Sequence, residues 1–543
     1  MRLRTLIVVT LLSFPSLFAH AQNAGTPHLE KHGTATQLVV DGKPFLILGA
    51  ELLNSSSSSL EFMRPIWPRL AAIPLNTVLT PLSWELIEPE EGKFDFTLVD
   101  GLIDGARQNK LHIVFLWLAS WKNGMSSYAP VWVKQNTERF PRVVEKDGNP
   151  VEILSPLGKE SMAADARAFA ALMRHIREVD GSAHTILMMQ VENEVGVLGD
   201  SRDRSPAANG AFDGQVPREL MTYLGQHRET LIPEFRTVWE ASGAKPSGTW
   251  QEVFGSDAKA DEIFMAWNYG WYIQSVAAAG KAEYPIPMYV NTWLGGWSDP
   301  HPHPFPSGGP LPEVMDVWKA AGTAIDIYSP DEYMPNLGEW CDRYHRGGNP
   351  IFIPETNGGA IGGANVFYAV GQFETIGFSP FGIDSFVDRE RDSLMDANND
   401  LGKSYAVLAE LAPIILQHEG RGEMAGFLLD KDHSRTTVEL NGYRLEVTLD
   451  QIFETEAKTG FGLVIATGPD EFLGAGSGFR IAFSPTKSGP PHVGIGSIDD
   501  GTFVGGAWHP GRRLNGDEND QGRAWRFVSK RISIEKAVVY RYE

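Results

Sequence analysis

The chain has 543 residues, of which 42% are hydrophobic and 21% are charged, and it contains 28 Phe, 15 Trp and 14 Tyr. A chain of this length is expected to form more than one domain and can bury a large core. Its formal net charge of −21 argues against nucleic acid or an anionic membrane as partner, because phosphate binding needs a basic surface. The single cysteine, Cys341, excludes an intramolecular disulfide, so stability must come from the core.

The N-terminus has the features of a secretory signal. Arg2 and Arg4 precede an apolar segment over residues 6–18, and Ala19-His20-Ala21 fits an A-x-A cleavage site. This segment is too short for a stable membrane span, and no later stretch reaches about 18 uninterrupted apolar residues. We therefore predict a signal peptide over residues 1–21 with cleavage near Ala21, a periplasmic or secreted protein, and no membrane insertion.

Short apolar runs alternate with segments of helical periodicity over residues 22–420, which predicts an α/β fold of the (β/α)8 TIM barrel type. A hairpin with Asp41-Gly42 at its turn comes first and is expected to close the bottom of the barrel. The eight predicted barrel strands include residues 45–50, 76–84, 111–118, 186–189, 287–293, 324–329, 350–355 and 377–383.

Helices are predicted between these strands and at the end of the barrel. The periodic segments cover residues 60–73, 95–109, 161–179 and 403–417. Residues 261–279 begin with a strand-like run, but the apolar residues that follow favour a helix.

The composition changes after residue 420. Residues 436–449 form two alternating segments around Asn441-Gly442, which is a strong hairpin signal. Short strand-like runs and glycine-rich turns follow to the end of the sequence. We predict a C-terminal β-sandwich-like accessory domain over residues 421–543.

Two predicted barrel strands end in a glutamate. The apolar run over residues 186–189 leads into Gln190-Val191-Glu192-Asn193-Glu194, and the run over residues 350–354 leads into Glu355. The C-terminal strand ends of a (β/α)8 barrel form its active site. Two carboxyl groups at one site are what hydrolysis of a glycosidic bond requires.

Three stretches carry a family resemblance: QVENEVG (190–196), NTVLTPLSWELIEPEEGKFDF (76–96) and PETNGG (354–359). In this order they resemble glycoside hydrolase family 35 of clan A, which includes β-galactosidases, over most of residues 37–390. The C-terminal region resembles the accessory domain of a bacterial branch of that family. The resemblance implies that Glu194 is the general acid/base and Glu355 the nucleophile. Val195 stands where many members have Tyr, which weakens the transfer of substrate contacts.

The chemistry of these residues fits the same roles. A retaining enzyme needs two carboxyl groups about 5–5.5 Å apart, one of them protonated at the start. Burial and a negative Glu355 should raise the pKa of Glu194. Asn193 is expected to bind the 2-hydroxyl group of the sugar. Glu192 has two open interpretations, a substrate contact or a salt-bridged or solvated acid.

Further substrate contacts are predicted at the strand ends. Tyr328 is expected either to hydrogen-bond the nucleophile or to pack at the barrel mouth. The proline-rich loop over residues 295–312 is a predicted wall of the site, and its His301 and His303 lack the neighbours of a metal site. The candidate contacts are Glu51, Trp84, Trp117, Asn291, Trp293, Tyr328 and Asp331.

The sequence thus predicts a retaining exo-β-galactosidase that needs neither metal nor organic cofactor. Its partner would be a galactosylated oligosaccharide or polysaccharide, such as xyloglucan side chains. Two alternatives remain: another clan A β-glycosidase, such as a β-glucosidase or an endo-xylanase-like enzyme, or a catalytically inactive carbohydrate-binding protein. The sequence leaves the linkage specificity and the oligomeric state open.

Overall fold

The computed structural model describes residues 25–300, 302–388, 393–394, 400–450, 457–529 and 531–543. The predicted signal peptide and His301 lie outside these residues. None of the helices in the described ranges combines the length and the hydropathy that a transmembrane segment needs.

A three-stranded antiparallel sheet precedes the barrel and consists of β1 (His28–His32), β2 (Ala35–Val40) and β3 (Lys43–Phe45). Strands β2 and β3 pair across Asp41 and Gly42, which have φ of 51° and 70°, so the predicted hairpin is confirmed. Leu38 and Val40 of β2 pack with the apolar side chains inside the barrel. The hairpin therefore covers the end opposite the strand ends that carry the glutamates.

Eight parallel strands close into a barrel, which confirms the predicted fold class. The first three are β4 (Ile47–Glu51), β5 (Thr77–Ser83) and β6 (His112–Lys122). A small antiparallel hairpin follows, with β7 (Arg142–Val144) and β8 (Pro150–Leu154). The remaining barrel strands are β9 (Ile186–Asn193), β10 (Met288–Trp293), β11 (Ile327–Glu332), β12 (Ile353–Thr356) and β13 (Gly377–Pro380). Pairing of β13 with β4 closes the barrel.

The helices connect the barrel strands and cover the outside of the barrel. Up to β9 they are α1 (Leu60–Met63), α2 (Trp67–Leu70), α3 (Trp84–Ile87), α4 (Thr97–Gln108), α5 (Val131–Lys134) and α6 (Lys159–Asp180). Beyond β9 they are α7 (Pro206–Phe212), α8 (Arg218–His227), α9 (Pro233–Ala241), α10 (Trp250–Phe254), α11 (Ala258–Glu283), α12 (Met315–Ala321), α13 (Leu337–His345), α14 (Gly359–Phe373) and α15 (Asp400–His418).

Two helix predictions have informative outcomes. The single helix predicted over residues 60–73 is wrong, because Pro65 lies between the short helices α1 and α2, while Pro68 lies in the first turn of α2. The helix predicted over residues 261–279 is confirmed as α11. This helix packs against both α6 and α12 and is buried over most of its surface, which explains its strand-like apolar start.

The C-terminal part forms two antiparallel sheets that pack as a sandwich, as predicted. After the short pair β14 (Val387–Asp388) and β15 (Ser393–Leu394), the sandwich begins with β16. The larger sheet has the order β16-β19-β20-β25-β22-β23, and the smaller sheet has the order β17-β18-β21-β24. Their bounds are β16 (Met424–Leu429), β17 (Arg435–Leu440), β18 (Tyr443–Leu449), β19 (Gly460–Gly468), β20 (Glu471–Ser477), β21 (Phe479–Pro485), β22 (His492–Val504), β23 (Ala507–Arg513), β24 (Trp525–Phe527) and β25 (Ser533–Tyr542). Strands β17 and β18 pair around Asn441-Gly442, which confirms the predicted hairpin.

The sandwich packs directly on the barrel. Helix α14 lies against β16 and β19, and side chains of β19 join the apolar cluster of the barrel helices. A Cβ atom at Gly371 would lie 2.7 Å from Leu463 Cβ and 2.8 Å from Gly426 Cα, so only glycine allows this close approach. Helix α14 starts just after β12, which carries Glu355. The first turns of the helix therefore place the sandwich near the barrel mouth.

Candidate active site

Four strand ends bring four carboxyl groups together at the C-terminal mouth of the barrel. Glu51 ends β4, Glu194 follows β9, Asp331 lies in β11 and Glu355 lies in β12. Each is at most 7% exposed, and Asp331 pairs with Glu355 across neighbouring strands. Burial first, and the charge of Glu355 second, raise the pKa of both Glu51 and Asp331 well above the usual range. The sequence had placed all four at the site.

Glu194 has the properties of a general acid. Burial, and then the negative charge of Glu355, raise its pKa to about 7, although Lys122 partly offsets both effects. Its carboxyl group accepts a hydrogen bond from Asn123 Nδ2, and its backbone N–H donates to Asn291 Oδ1 at 3.0 Å. Asn291 Nδ2 in turn donates to Asp331 Oδ2 at 2.7 Å. A carboxyl group with a pKa of about 7 is largely protonated at slightly acidic pH, as proton donation requires.

The backbone at the end of β9 is not a regular strand. Glu192 has φ of 62° and Glu194 has φ of 43°, both in the left-handed region that residues other than glycine rarely adopt. Such strained residues are often found at active sites. The two residues flank Asn193, and their conformations remove the simple alternation of side chains that a strand would impose.

Glu355 is held by a tyrosine that the sequence analysis missed. Tyr333 donates its hydroxyl hydrogen to Glu355 Oε1 at 2.6 Å. The contact with Glu355, one of the two roles predicted for Tyr328, is wrong: the Tyr328 hydroxyl group accepts from Gln274 Nε2 at 3.3 Å, and its ring packs on Trp318. The sixth barrel strand ends at residue 332 rather than 329, so Asp331 and Tyr333 reach the mouth while Tyr328 faces the surrounding helices.

The predicted aromatic contacts divide into one that reaches the mouth and two that do not. Trp84 is fully buried and donates from Nε1 to Glu88 Oε2 at 2.8 Å. Trp117 points outward from β6 and donates from Nε1 to Asp165 of α6 at 2.9 Å. These two predictions are wrong because both rings pack in the layer between strands and helices. Trp293 is 39% exposed and pairs in register with Asp331.

Several buried polar atoms at the site have no hydrogen-bond partner within the described ranges. They include both side-chain atoms of Gln190 and of Asn193, together with Glu51 Oε1, Asp331 Oδ1 and Glu355 Oε2. Buried polar groups in folded proteins are nearly always paired. At the barrel mouth, these atoms are available to bind the polar groups of a ligand.

Glu192 has neither of the two roles considered from the sequence. Its carboxylate accepts hydrogen bonds from the backbone N–H groups of Ser120 at 3.1 Å and Trp121 at 2.7 Å. These residues belong to the end of β6, which continues four residues beyond its predicted end and carries Lys122. Glu192 therefore joins β9 to the segment whose next residues, Lys122 and Asn123, act on Glu194. Burial, and then the neighbouring Asp165, raise the pKa of Glu192.

The proline-rich loop lies beside the segment that follows Glu194. Ser307 and Val197 exchange backbone hydrogen bonds of 2.8 and 2.9 Å, which joins the loop to the segment after Glu194. His303 is buried, stacks on Phe305 and lies 3.6 Å from Glu262. Over the residues that the structure describes, no group of three or more His, Cys, Asp or Glu side chains is arranged to hold a metal ion. The role of the loop as a substrate wall stays a prediction.

Residues 68–242 match a family model described as Beta-galactosidase, of glycoside hydrolase family 42. The matched segment contains Glu194 and ends before Glu355. Residues 401–526 match a second model, described as a domain of unknown function, DUF5597. The first match supports the predicted likeness to clan A β-galactosidases, whereas the finer assignment to family 35 stays a prediction.

A curated β-galactosidase of Xanthomonas manihotis is 28% identical over 213 residues, which are 36% of this chain. The chain covers only 31% of the length of that relative. Among solved structures, a β-galactosidase from Bacillus circulans has 14% identity and a TM-score of 0.48, with 69% of this chain and 57% of that chain covered. The catalytic domain of a β-amylase from Paenibacillus polymyxa has 12% identity and a TM-score of 0.46, with 67% and 98% covered. The barrel assignment rests on the strand pairing itself.

Proposed function

We propose that this protein is a retaining glycoside hydrolase that removes terminal β-galactosyl residues from oligosaccharides or polysaccharides. The observation that carries the proposal is the pair Glu194 and Glu355 at the barrel mouth. Glu194 is a buried carboxyl group with a pKa of about 7, and Glu355 beside it accepts a hydrogen bond from Tyr333. Two carboxyl groups with different environments can act as acid and nucleophile at the same pH.

The first step forms a glycosyl-enzyme. Tyr333 occupies Glu355 Oε1, so Oε2 is the oxygen that attacks the anomeric carbon. As this bond forms, the bond from the anomeric carbon to the leaving oxygen breaks, and Glu194 gives its proton to that oxygen. The hydrogen bond from Asn123 holds the carboxyl group of Glu194 in place.

The second step releases the sugar. Once Glu355 is esterified it no longer carries a negative charge, so the pKa of Glu194 falls and its carboxylate becomes a suitable base. Glu194 takes a proton from water, the water oxygen attacks the anomeric carbon, and the bond to Glu355 breaks. The sugar leaves with its original configuration because two inversions have occurred.

The unpaired polar atoms at the mouth supply the sugar contacts. Asn193 immediately precedes Glu194 in the sequence. It is assigned to the 2-hydroxyl group of the sugar, where contacts strengthen in the transition state. Glu51 and Asp331 are assigned to the remaining hydroxyl groups. Trp293 offers an exposed ring at the edge of the site.

The finer parts of the proposal rest on the resemblance and on the relatives. The choice of galactose follows the matched family model and the curated relative. Exo action, membership of family 35 and galactosylated xyloglucan as natural substrate follow the resemblance of the motifs. We also propose a periplasmic or secreted location, based on the signal-like composition of residues 1–21.

The test is hydrolysis of 4-nitrophenyl β-galactoside, β-glucoside, β-xyloside and α-arabinoside by wild type, Glu194→Ala and Glu355→Ala, with and without azide. Dominant turnover of the galactoside, lost in both variants, is the expected result. Azide should give the β-galactosyl azide with Glu194→Ala and the α-galactosyl azide with Glu355→Ala, because it enters from opposite faces. Glu61→Ala, which changes an exposed glutamate of α1, is the matched control and should retain activity.

Several outcomes would contradict parts of the proposal. Turnover of another glycoside instead of the galactoside would contradict the choice of galactose but not the mechanism. Interchanged azide products would exchange the roles assigned to Glu194 and Glu355, and the same product from both variants would refute them. A folded wild type that turns over none of these substrates nor a galactosylated oligosaccharide would favour a carbohydrate-binding protein.

A further inference from the structure

A groove lies between the barrel and the sandwich, and Tyr333, which contacts Glu355, is one of its lining residues. Its volume is about 530 Å³, within the range of about 300–1,000 Å³ typical of ligand sites. One wall is the segment after β11 together with the first turns of α14, and the opposite wall comes from β16 and the start of β19. The two domains thus build the groove together.

The groove and the site of hydrolysis share one side chain. Tyr333 lines the groove and also donates to Glu355 Oε1. Asn357, two residues after Glu355, is a second lining residue, and its Nδ2 donates to the carbonyl oxygen of Tyr333 at 3.4 Å. A sugar at the catalytic pair and a group in the groove would therefore both lie close to Tyr333.

The lining has the chemistry that binds a sugar. Apolar surface comes from Ile361 on the barrel side and Phe461 on the sandwich side. Polar side chains come from Asn365 of α14 and from Thr459, just before β19. A pyranose ring has both apolar C–H faces and hydroxyl groups, so it needs such a mixture of surfaces. A purely apolar ligand would leave the amide and hydroxyl groups unpaired.

We propose that this groove binds a further glycosyl unit of an oligosaccharide whose terminal sugar lies at Glu194 and Glu355, so that the C-terminal domain contributes to substrate selection. The inference rests on the proposed function, because it takes the occupant to be part of the same substrate. It assigns the sandwich a direct contact with substrate.

The first test compares two substrates in the full-length protein. Ile361→Trp and Thr459→Trp each place a large side chain into the groove from a different domain, at exposed positions where folding should tolerate it. The ratio of kcat/KM for a galactosylated xyloglucan oligosaccharide to kcat/KM for 4-nitrophenyl β-galactoside should fall about tenfold in both variants. Val504→Trp, an exposed change at the tip of the β22–β23 hairpin, is the control and should keep the wild-type ratio. An unchanged ratio in both groove variants would overturn the inference.

A binding measurement separates this inference from the proposed function. In the Glu355→Gln background, calorimetry should show that Ile361→Trp weakens binding of the oligosaccharide about tenfold and binding of free galactose much less. If this result is obtained while the wild type hydrolyses none of the substrates, the groove is supported and the hydrolase is refuted. If the losses for the oligosaccharide and for galactose are equal while the wild type hydrolyses galactosides, the groove is refuted and the hydrolase is supported.

Discussion

Replacing Glu194 by Gln is expected to remove a cost to stability that grows with pH. Burial and Glu355 raise the pKa of this carboxyl group from 4.5 to about 7 in the folded protein, whereas in the unfolded chain the pKa returns to its ordinary value. Between these two values the folded state binds a proton that the unfolded state does not. The free energy of unfolding therefore falls as pH rises through this window, and the full loss is present above pH 7.

The size of the effect follows from the shift. One pKa unit corresponds to about 1.36 kcal/mol, so a rise from 4.5 to about 7 corresponds to about 3 kcal/mol at pH 8. Gln has nearly the same shape as Glu and no charge, so the variant should lack this pH-dependent loss of unfolding free energy. At pH 8 the variant should be more stable than the wild type, and near pH 4.5 the difference should be smaller by about 3 kcal/mol.

The assay is thermal unfolding of wild type and Glu194→Gln from pH 5 to pH 8. A chain with two packed domains need not unfold in a two-state manner, so the midpoints are compared rather than extrapolated free energies. The midpoint of the variant minus that of the wild type should increase with pH by a few degrees. Glu61→Gln, in the exposed part of α1, should show a constant difference. A difference for Glu194→Gln that stays flat or declines with pH would refute the reasoning.

Three further predictions concern activity on the aryl β-galactoside. Wild-type kcat/KM should fall above pH of about 7, as Glu194 loses its proton, and a flat profile to pH 9 would contradict this role. Tyr333→Phe should lower kcat about 10–100-fold, because it removes a hydrogen bond to the charged Glu355. Tyr328→Phe is the control and should lower kcat less. Equal losses in the two variants would refute the assignment of Tyr333 to Glu355. Glu192→Gln should move the alkaline limb of the pH profile of kcat/KM, because Glu192 holds the segment that carries Lys122. Loss of activity without such a move would indicate a purely structural role for Glu192.

The amino-acid sequence by itself determined the fold class and the identity of the acidic residues. Eight apolar runs separated by helical segments are sufficient to indicate the barrel, because strands buried on both faces need continuous apolar residues. The carboxyl groups at positions 194 and 355 could be recognised because polar residues directly follow such runs. The apolar runs and the acidic residues that follow them are local features, and each can be recognised within a stretch of about ten residues or fewer.

Only the tertiary structure decided which side chains face the site. Strand side chains alternate, so an error of a few residues at a strand end changes which residues reach the mouth. For this reason Tyr333 replaced Tyr328, Lys122 was missed, and Trp117 proved to face the helices. The raised pKa of Glu194 and the groove beside the sandwich depend on groups far apart in the sequence, and only the folded chain brings those groups together.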